Sequence, residues 1–335
     1  MDNRKLAGFA LFYFSLALGI LSISDLFSLF YNNSYVYYSD VTDPILTFLK
    51  AILGLTFAYA VYSFSKDMRL SSGDINASKK TIRTLTLTFI GLAFYWLAQI
   101  IIDALKANGV IREQFGNGMS SAYYNSFDVS FAVFNLVMIA ISLFIVYKLL
   151  PLGKGATIKL SKVQKLNAST KTSKILGGIF ALILLLWILV FANLTIYEIF
   201  NNYCSSYDYS GVCLDSATAM LQSKIVYSMM WLGATLLGLA LMLVSIKFIF
   251  SKDLQIPKLS AMVGAFGSLI LGISVASKTF IEIIAALFNI NAFPGYYYSI
   301  NFGTAVSLAF AISMILFAVL MWRNKSGYQT QIRVV

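Results

Sequence analysis

Apolar residues in this chain are gathered into long runs that are separated by short polar segments. A helix needs about 20 mainly apolar residues to cross about 30 Å of hydrocarbon, at a rise of about 1.5 Å per residue. Runs of that length cover residues 6–31, 44–65, 84–106, 129–150, 174–200, 224–250, 259–289 and 301–322. The pattern therefore predicts an all-α fold, a polytopic transmembrane helix bundle of about eight spans in four outward hairpins.

The composition is also typical of a membrane protein. Of the 335 residues, 59% are apolar and 12% are charged, and the mean hydropathy is +0.78. Soluble globular domains carry about 25% charged residues. These values exclude a water-soluble domain and indicate that the chain lies in a lipid bilayer.

The basic residues indicate how the spans are oriented. The chain has 25 Lys and Arg against 14 Asp and Glu, a formal charge of +11, and most basic residues fall in alternate loops and near both ends. Under the positive-inside rule, this predicts a multi-pass protein of the cell membrane with both termini in the cytoplasm. Because topology accounts for the positive charge, no nucleic-acid partner is predicted.

The first span has an alternative interpretation as a cleaved signal peptide. Arg4 and Lys5 precede its apolar run, and Ser22-Ile23-Ser24 resembles a cleavage site. The regular succession of hairpins favours a retained span, because the first arm of each hairpin carries one acid near its outer end. These acids are Asp25, Asp103, Glu198 and Glu282.

The spans divide into two halves around a basic segment. Residues 1–150 form a predicted N-terminal four-helix half, residues 151–173 a cytoplasmic linker, and residues 174–335 a C-terminal half. The phrase Phe64-Ser65-Lys66-Asp67 after the second span returns as Phe250-Ser251-Lys252-Asp253 after the sixth. This repetition suggests a parallel 4+4 repeat, as found in some transporters.

The sequence contains few groups suited to catalysis or metal binding. It has no histidine, which is the usual ligand of haem and zinc and the commonest general base. No clustered acid, base or nucleophile and no charge at mid-span stands out in it. We therefore predict no catalytic residue, no metal site and no cofactor bound by this chain alone.

Both cysteines, Cys204 and Cys213, lie in one predicted outer loop, residues 201–223. Their spacing closes a small loop on the oxidising side of the membrane, where a disulfide persists. A structural disulfide is the favoured interpretation. The alternatives are a redox-active pair and a metal site completed by Asp208 and Asp215.

Charged residues near the outer ends of the spans occur as neighbouring acids and bases. The predicted pairs are Asp25 with Lys50, Asp103 with Lys106, Glu198 with Lys224, and Lys278 with Glu282. We expect ion pairs that hold helices in register. An entry site for protons or cations is the alternative.

Small residues recur at every fourth position of the seventh span. This stripe consists of Ser260, Gly264, Ser268, Gly272 and Ala276. Small residues let helix backbones approach closely in lipid, where no hydrophobic drive brings helices together. We expect the stripe to pack against the sixth and eighth spans, and docking of a partner helix is the alternative.

Polar side chains in the middle of the predicted spans are few. They are Gln99, Asn135, Asn193 and Thr235. Each needs a hydrogen-bond partner in hydrocarbon, so we expect each to face another helix or a small cavity.

The abundance of Lys, Ile and Tyr and outer-loop phrases such as Tyr31-Asn32-Asn33-Ser34-Tyr35 are similar to those of membrane proteins from thermoacidophilic archaea. In size, span count and lack of histidine, the whole chain resembles the hydrophobic membrane subunit of the archaeal cytochrome b558/566 respiratory complex. The resemblance implies that a partner subunit carries the haem and that this chain embeds the partner in the membrane. Other polytopic membrane families of these archaea share the same general character.

These patterns lead to two functional hypotheses. The first is a non-catalytic membrane subunit that anchors or scaffolds a larger assembly, in contact with the bilayer and with protein partners. The second is a transporter or channel for a small or lipophilic solute, suggested by the repeat and by the acids at the outer rim. An enzyme acting on lipid is the weakest hypothesis, because no reactive cluster is visible.

Overall fold

The computed structural model describes the body of every predicted span. The described residues are 3–31, 42–70, 75–108, 129–150, 156–162, 171–200, 217–250, 257–288, 302–324 and 330–334. The predicted disulfide between Cys204 and Cys213 lies outside them.

Eight helices in the described residues occupy the eight predicted spans. They are α1 (Asn3–Tyr31), α2 (Thr42–Leu70), α3 (Lys79–Ala107), α4 (Val129–Leu149), α5 (Lys171–Phe200), α6 (Ala217–Phe250), α7 (Lys258–Phe288) and α8 (Phe302–Asn324). Several helices extend past their apolar runs, because polar residues continue the helix beyond the hydrocarbon. α3 begins early since Ser78 caps it, its Oγ accepting a hydrogen bond of 3.1 Å from the Thr81 N–H.

Over their described residues, seven of the eight helices are long and apolar enough to cross a membrane, and the exception is α4. α4 has 21 residues, and its described apolar stretch is the shorter segment Met138–Tyr147. At about 1.5 Å per residue, a helix of that length still spans about 30 Å. The prediction of long apolar helices is confirmed, with eight helices among the described residues and seven of them long and apolar enough to cross a membrane, while the four outward hairpins and the 4+4 repeat remain predictions.

Three short strands lie outside the helices. They are β1 (Ile75–Ala77), β2 (Ala156–Lys162) and β3 (Thr330–Val334), and they form one sheet in the order β1-β2-β3. β2 and β3 pair antiparallel, from Ile158 opposite Val334 to Lys162 opposite Thr330. β2 falls within the predicted linker, residues 151–173, so part of this segment is a strand and the all-α expectation applies to the spans alone.

The helices divide between two compact units. Unit 1 comprises residues 1–17, 68–75 and 157–335, and unit 2 comprises residues 18–67 and 76–156. The division near residue 156 falls in the predicted linker. The start of α1 and the end of α2, however, belong with the C-terminal helices rather than with the predicted N-terminal half.

Unit 1 is organised around α7, which contacts both α6 and α8. More than half of the apolar stretch of α7 is buried, against a small fraction of that of α5. Leu271 and Val275 of α7 form a buried cluster with Met314 of α8. The Ser313 hydroxyl of α8 in turn donates a hydrogen bond of 2.9 Å to the Ala10 carbonyl of α1.

Unit 2 contains α3, α4, most of α2 and the part of α1 from Leu18 onward, and α4 packs on α3. Gly54 of α2 lies directly against the Ser22 side chain of α1, and Gly91 of α3 lies directly against Leu53 of α2. At both points the missing side chain lets the neighbouring residue reach the helix backbone.

The sheet predicts how many times the chain crosses the membrane. Hydrogen-bonded strands must lie on one side of a bilayer, and β1 follows α2, β2 follows α4 and β3 follows α8. Since α3 is expected to cross the membrane, β1 and β2 lie on the same side of the membrane only if α4 crosses as well. We therefore expect eight crossings.

Cysteines placed in the three strands test this count. Asn76→Cys, Ser161→Cys and Gln331→Cys should all react with an impermeant maleimide from the cytoplasmic side.

The measurement uses a chain in which Cys204 and Cys213 are changed to Ser. Asn33→Cys, in a predicted outer loop, is the control and should react from the opposite side. Labelling of Asn76→Cys and Ser161→Cys from opposite sides would contradict a crossing by α4.

Candidate functional site

Two of the predicted outer ion pairs are formed. The Lys50 ammonium of α2 lies 3.2 Å from the Asp25 carboxylate of α1 and joins the two helices. The Lys278 ammonium lies 3.5 Å from the Glu282 carboxylate one turn further along α7, and it also lies 5.4 Å from the ring centre of Tyr227 on α6. Only the first pair is therefore a bridge between helices.

The other two predicted pairs are placed differently. Asp103 and Lys106 lie near the end of α3, three residues apart on one helix. Glu198 and Lys224 lie on α5 and α6, and no ion pair joins them in the part of the chain that the structure describes. The prediction that these two residues tie the third hairpin together is not supported by this arrangement.

Hydroxyl groups form a polar seam between α2 and α3, which sequence reasoning did not identify. The hydroxyls of Ser63 and Thr81 share a hydrogen bond of 2.7 Å. The Thr88 hydroxyl lies 3.2 Å from the Thr56 hydroxyl and 2.8 Å from the Thr84 carbonyl of its own helix. The two pairs are one heptad apart on both helices, and this spacing is the signal that would have revealed the seam.

A second group of polar side chains lies in unit 2, around the bridge between Asp25 and Lys50. The Gln99 amide of α3 donates a hydrogen bond of 3.3 Å to the Tyr95 hydroxyl, and Asp25 is close enough to act on Tyr95 electrostatically. We call Asp25, Lys50, Tyr95 and Gln99 the outer polar cluster. The Gln99 carbonyl oxygen is buried and accepts no hydrogen bond from the described residues.

Among the described residues, none of the mid-span polar side chains hydrogen-bonds to another helix. Gln99 bonds within α3, and the Thr235 hydroxyl donates to the Trp231 carbonyl of its own helix. Asn135 of α4 is completely buried, as expected of a side chain that faces another helix or a small cavity, and both amide atoms lack a hydrogen-bond partner among the described residues. Asn193 of α5 is instead exposed.

The stripe of small residues on α7 packs inside unit 1, against both neighbouring helices. The Ser260 hydroxyl donates a hydrogen bond of 2.7 Å to the Ala240 carbonyl of α6. A Cβ on Gly264 would lie 2.7 Å from the Met321 sulfur of α8. A Cβ on Gly272 would lie 3.1 Å from the Ala311 carbonyl of the same helix.

The remaining stripe residues are also covered. Ser268 is 1% exposed, and its hydroxyl has no hydrogen-bond partner among the described residues. Ala276 packs at the edge of the buried cluster between α7 and α8. The stripe is thus an internal contact surface, and it is not open to a partner helix.

The closest approach of α6 and α7 involves two glycines outside the predicted stripe. A Cβ on Gly233 would lie 2.7 Å from the Leu271 backbone nitrogen. A Cβ on Gly267 would lie 2.8 Å from the Leu237 backbone nitrogen and 3.0 Å from the Gly233 carbonyl oxygen. Gly267 follows Gly264 by three residues, so a search for small residues at both helical spacings would have found it.

Within the described residues, α5 packs on α6 of unit 1. The Trp187 indole N–H donates a hydrogen bond of 3.2 Å to the Ala234 carbonyl of α6, and the Trp187 ring fills the space beside Gly238. Phe191 stacks on Trp231 of α6 with ring centroids 5.4 Å apart. These contacts fix which side of α5 faces away from α6.

The side of α5 that faces away from α6 has a heptad pattern. We call it the heptad face, and its residues alternate at spacings of four and three: Leu182, Leu186, Leu189, Asn193, Ile196 and Phe200. Its apolar members are between 55% and 78% exposed. The exposed residues Ile175 and Ile179 continue the same spacing toward the start of the helix.

Asn193 is the one polar residue of the heptad face. It lies seven residues before the end of α5, about 10 Å inside the helix end at about 1.5 Å per residue. No described residue hydrogen-bonds to its amide. An amide exposed to hydrocarbon costs several kcal/mol, about 4–8 on a cyclohexane scale, so lipid alone does not suit this position.

The described residues contain no group of three or more Cys, Asp or Glu side chains that could hold a metal ion. Comparisons of the chain with models of protein families, with curated proteins and with solved structures find no match.

The contact between α6 and α7 predicts an effect on stability. Gly233→Ala places a methyl group against the Leu271 backbone, and we expect it to destabilise the protein by about 1–3 kcal/mol, as overpacking does. Gly178→Ala on α5 is a matched control, because no atom lies within 4 Å of its added Cβ, and it should raise stability by about 0.5–1 kcal/mol. Thermal unfolding in detergent compares the two, and equal effects would contradict a tight contact at Gly233.

Proposed function

We propose that this chain is a non-catalytic integral membrane subunit that holds a larger membrane assembly together through α5. The observation that carries the proposal is an exposed amide, Asn193, on an otherwise apolar helix face within the predicted span 174–200. An apolar face alone suits lipid, and an unpaired amide does not. A second transmembrane helix against this face would satisfy the amide and keep it away from lipid.

The rest of unit 1 supports this role because its packed helices fix the position of α5. α6, α7 and α8 pack through glycines and small residues with backbone-level contacts. Trp187 and Phe191 then fasten α5 to α6. Since the α7 stripe is used internally, α5 is the helix of unit 1 whose surface best fits a partner.

A more specific proposal, which names the kind of assembly, follows from the resemblance to the hydrophobic subunit of a respiratory complex. In that form, the assembly transfers electrons through cofactors on a partner subunit, and this chain embeds that subunit in the membrane. The chemistry required of the partner at α5 is an apolar transmembrane helix with a hydrogen-bonding group at the depth of Asn193.

Photo-cross-linking in native membranes tests whether α5 binds protein. A photoreactive amino acid at Leu189, on the heptad face, should form adducts with a polypeptide, and Asn193→Leu should lower their yield. The same amino acid at Ile273, an exposed apolar position on α7, is the matched control and should form lipid adducts. Lipid adducts alone at Leu189 would contradict an assembly function for α5.

A second function, passage of a small polar solute or an ion, is favoured by unit 2. Both amide atoms of the fully buried Asn135 and the carbonyl of Gln99 lack hydrogen-bond partners among the described residues. Buried polar atoms without partners are suited to bind water or a polar solute. The hydroxyl seam between α2 and α3 adds polar groups further along the same helices.

Flux into liposomes tests this second function. Asp25→Asn removes the charge that pairs with Lys50, and Asn135→Leu removes the buried amide. Each substitution should lower the flux by about tenfold or more, because the loss of a charged or buried polar contact costs about 1–3 kcal/mol. Glu282→Gln is the control, because its pair lies within α7 of unit 1, and it should transport normally. Absence of flux by the purified wild-type chain for protons, alkali cations and small polar solutes would contradict the hypothesis.

A further inference from the structure

We propose that Arg69, at the end of α2 in unit 1, binds the phosphate headgroup of a membrane lipid. Three features point to this site: the contact of Arg69 with α1, the lack of an acceptor for its guanidinium among the described residues, and the exposed cation and apolar surface beside it. The site is separate from α5, so its failure would leave the proposed function untouched.

Arg69 is held in place by two aromatic rings of α1. Its Cζ atom lies 4.9 Å from the ring centre of Phe12 and 5.3 Å from that of Phe9, within the range of a cation–π interaction. The Nε atom is buried, although the residue as a whole is partly exposed. The guanidinium is therefore fixed against α1 and does not extend freely into water as a snorkelling Arg does.

No described residue supplies an acceptor to this guanidinium. Its Nε atom has no hydrogen-bond partner, and no described acid forms an ion pair with it. Asp67, two residues earlier in the chain, instead accepts a hydrogen bond of 3.4 Å from the Ser78 N–H. Arg stays charged at every ordinary pH, and a charge that is partly withdrawn from water gains more from an anion than a fully hydrated one does. The group is therefore suited to bind an anion.

The position of Arg69 along α2 corresponds to the level of lipid headgroups. Arg69 lies four residues beyond the predicted apolar run 44–65, which is about 6 Å at about 1.5 Å per residue. The predicted span of α1 begins at residue 6, so Phe9 and Phe12 lie within its first two turns. The rings are thus expected at the edge of the hydrocarbon and the guanidinium beside the phosphates, whose oxygens match the planar fork of Arg.

The surface of α1 beside Arg69 favours a lipid over a free phosphate. Lys5 lies one turn before Phe9, and Leu16 lies one turn after Phe12, on the side of α1 that Arg69 contacts. Lys5 is exposed, and Phe9 and Leu16 are 37% and 41% exposed. A second cation therefore lies at one end of the site and apolar surface at the other. A ligand with a phosphate at one end and hydrocarbon at the other fits both.

Native mass spectrometry of the purified full chain in detergent tests the ligand. The probe is phosphatidylglycerol, and diacylglycerol with the same acyl chains is the matched probe without the phosphate. The wild type should bind phosphatidylglycerol at least about tenfold more tightly, because only this lipid accepts charged hydrogen bonds. Inorganic phosphate at the same concentration should not displace it. Equal binding of the two lipids, or displacement by inorganic phosphate, overturns the proposal.

Variants separate Arg69 from the other basic residues. Arg69→Gln should weaken the binding of phosphatidylglycerol by about tenfold and leave that of diacylglycerol unchanged. Arg83→Gln is the matched control, because Arg83 of α3 is exposed and no described ring lies over its guanidinium. It should bind phosphatidylglycerol as tightly as the wild type. An unchanged affinity in Arg69→Gln, or an equal loss in Arg83→Gln, overturns the proposal.

Arg69→Lys tests the guanidinium without loss of the charge. Lys also lies favourably over aromatic rings, so this variant should unfold at the wild-type temperature in detergent without added lipid. It lacks the planar fork, and it should therefore bind phosphatidylglycerol about three- to tenfold more weakly than the wild type. Wild-type affinity in Arg69→Lys overturns the binding of phosphate by the guanidinium.

Discussion

In hydrocarbon a polar group has no water to bind, and an apolar group gains little by exchanging lipid for another apolar neighbour. The helices of this chain are therefore held together by close backbone contact and by hydrogen bonds rather than by burial of apolar surface. Gly233 and Gly267 bring α6 and α7 to backbone distance, and the Ser260 hydroxyl bonds to the Ala240 carbonyl across the same pair. In unit 2, hydroxyl pairs between α2 and α3 have the same role.

The same constraint explains why two asparagines suggest two different functions. Asn135 lies inside unit 2 and Asn193 lies on the surface of unit 1, and neither amide finds a hydrogen bond among the described residues. An enclosed amide is suited to water or a small polar solute. An amide on an outer helix face is suited to another helix, because only a protein neighbour brings a hydrogen-bonding group to that depth.

Assembly is the better supported function, because contacts within the structure define which side of α5 faces outward as well as which chemical group that side carries. α5 is fastened to α6 along one side by Trp187 and Phe191, which orients the opposite side outward. That side is apolar and exposed and carries one Asn, whereas the polar atoms of unit 2 are spread over several helices.

The sequence by itself determined the helical membrane class, the positions of the eight helices and the stripe of small residues on α7, because long apolar runs and regular spacings are properties of the chain alone. It also correctly paired Asp25 with Lys50, since equal depth on two arms of a hairpin follows from counting residues. Only the tertiary structure decided which way each helix face points, and this separates the covered α7 stripe from the exposed heptad face of α5. The physical reason is that all faces of a membrane helix are apolar, so hydrophobicity does not mark the inside as it does in water, and rotation about the helix axis is set by contacts such as Trp187 beside Gly238.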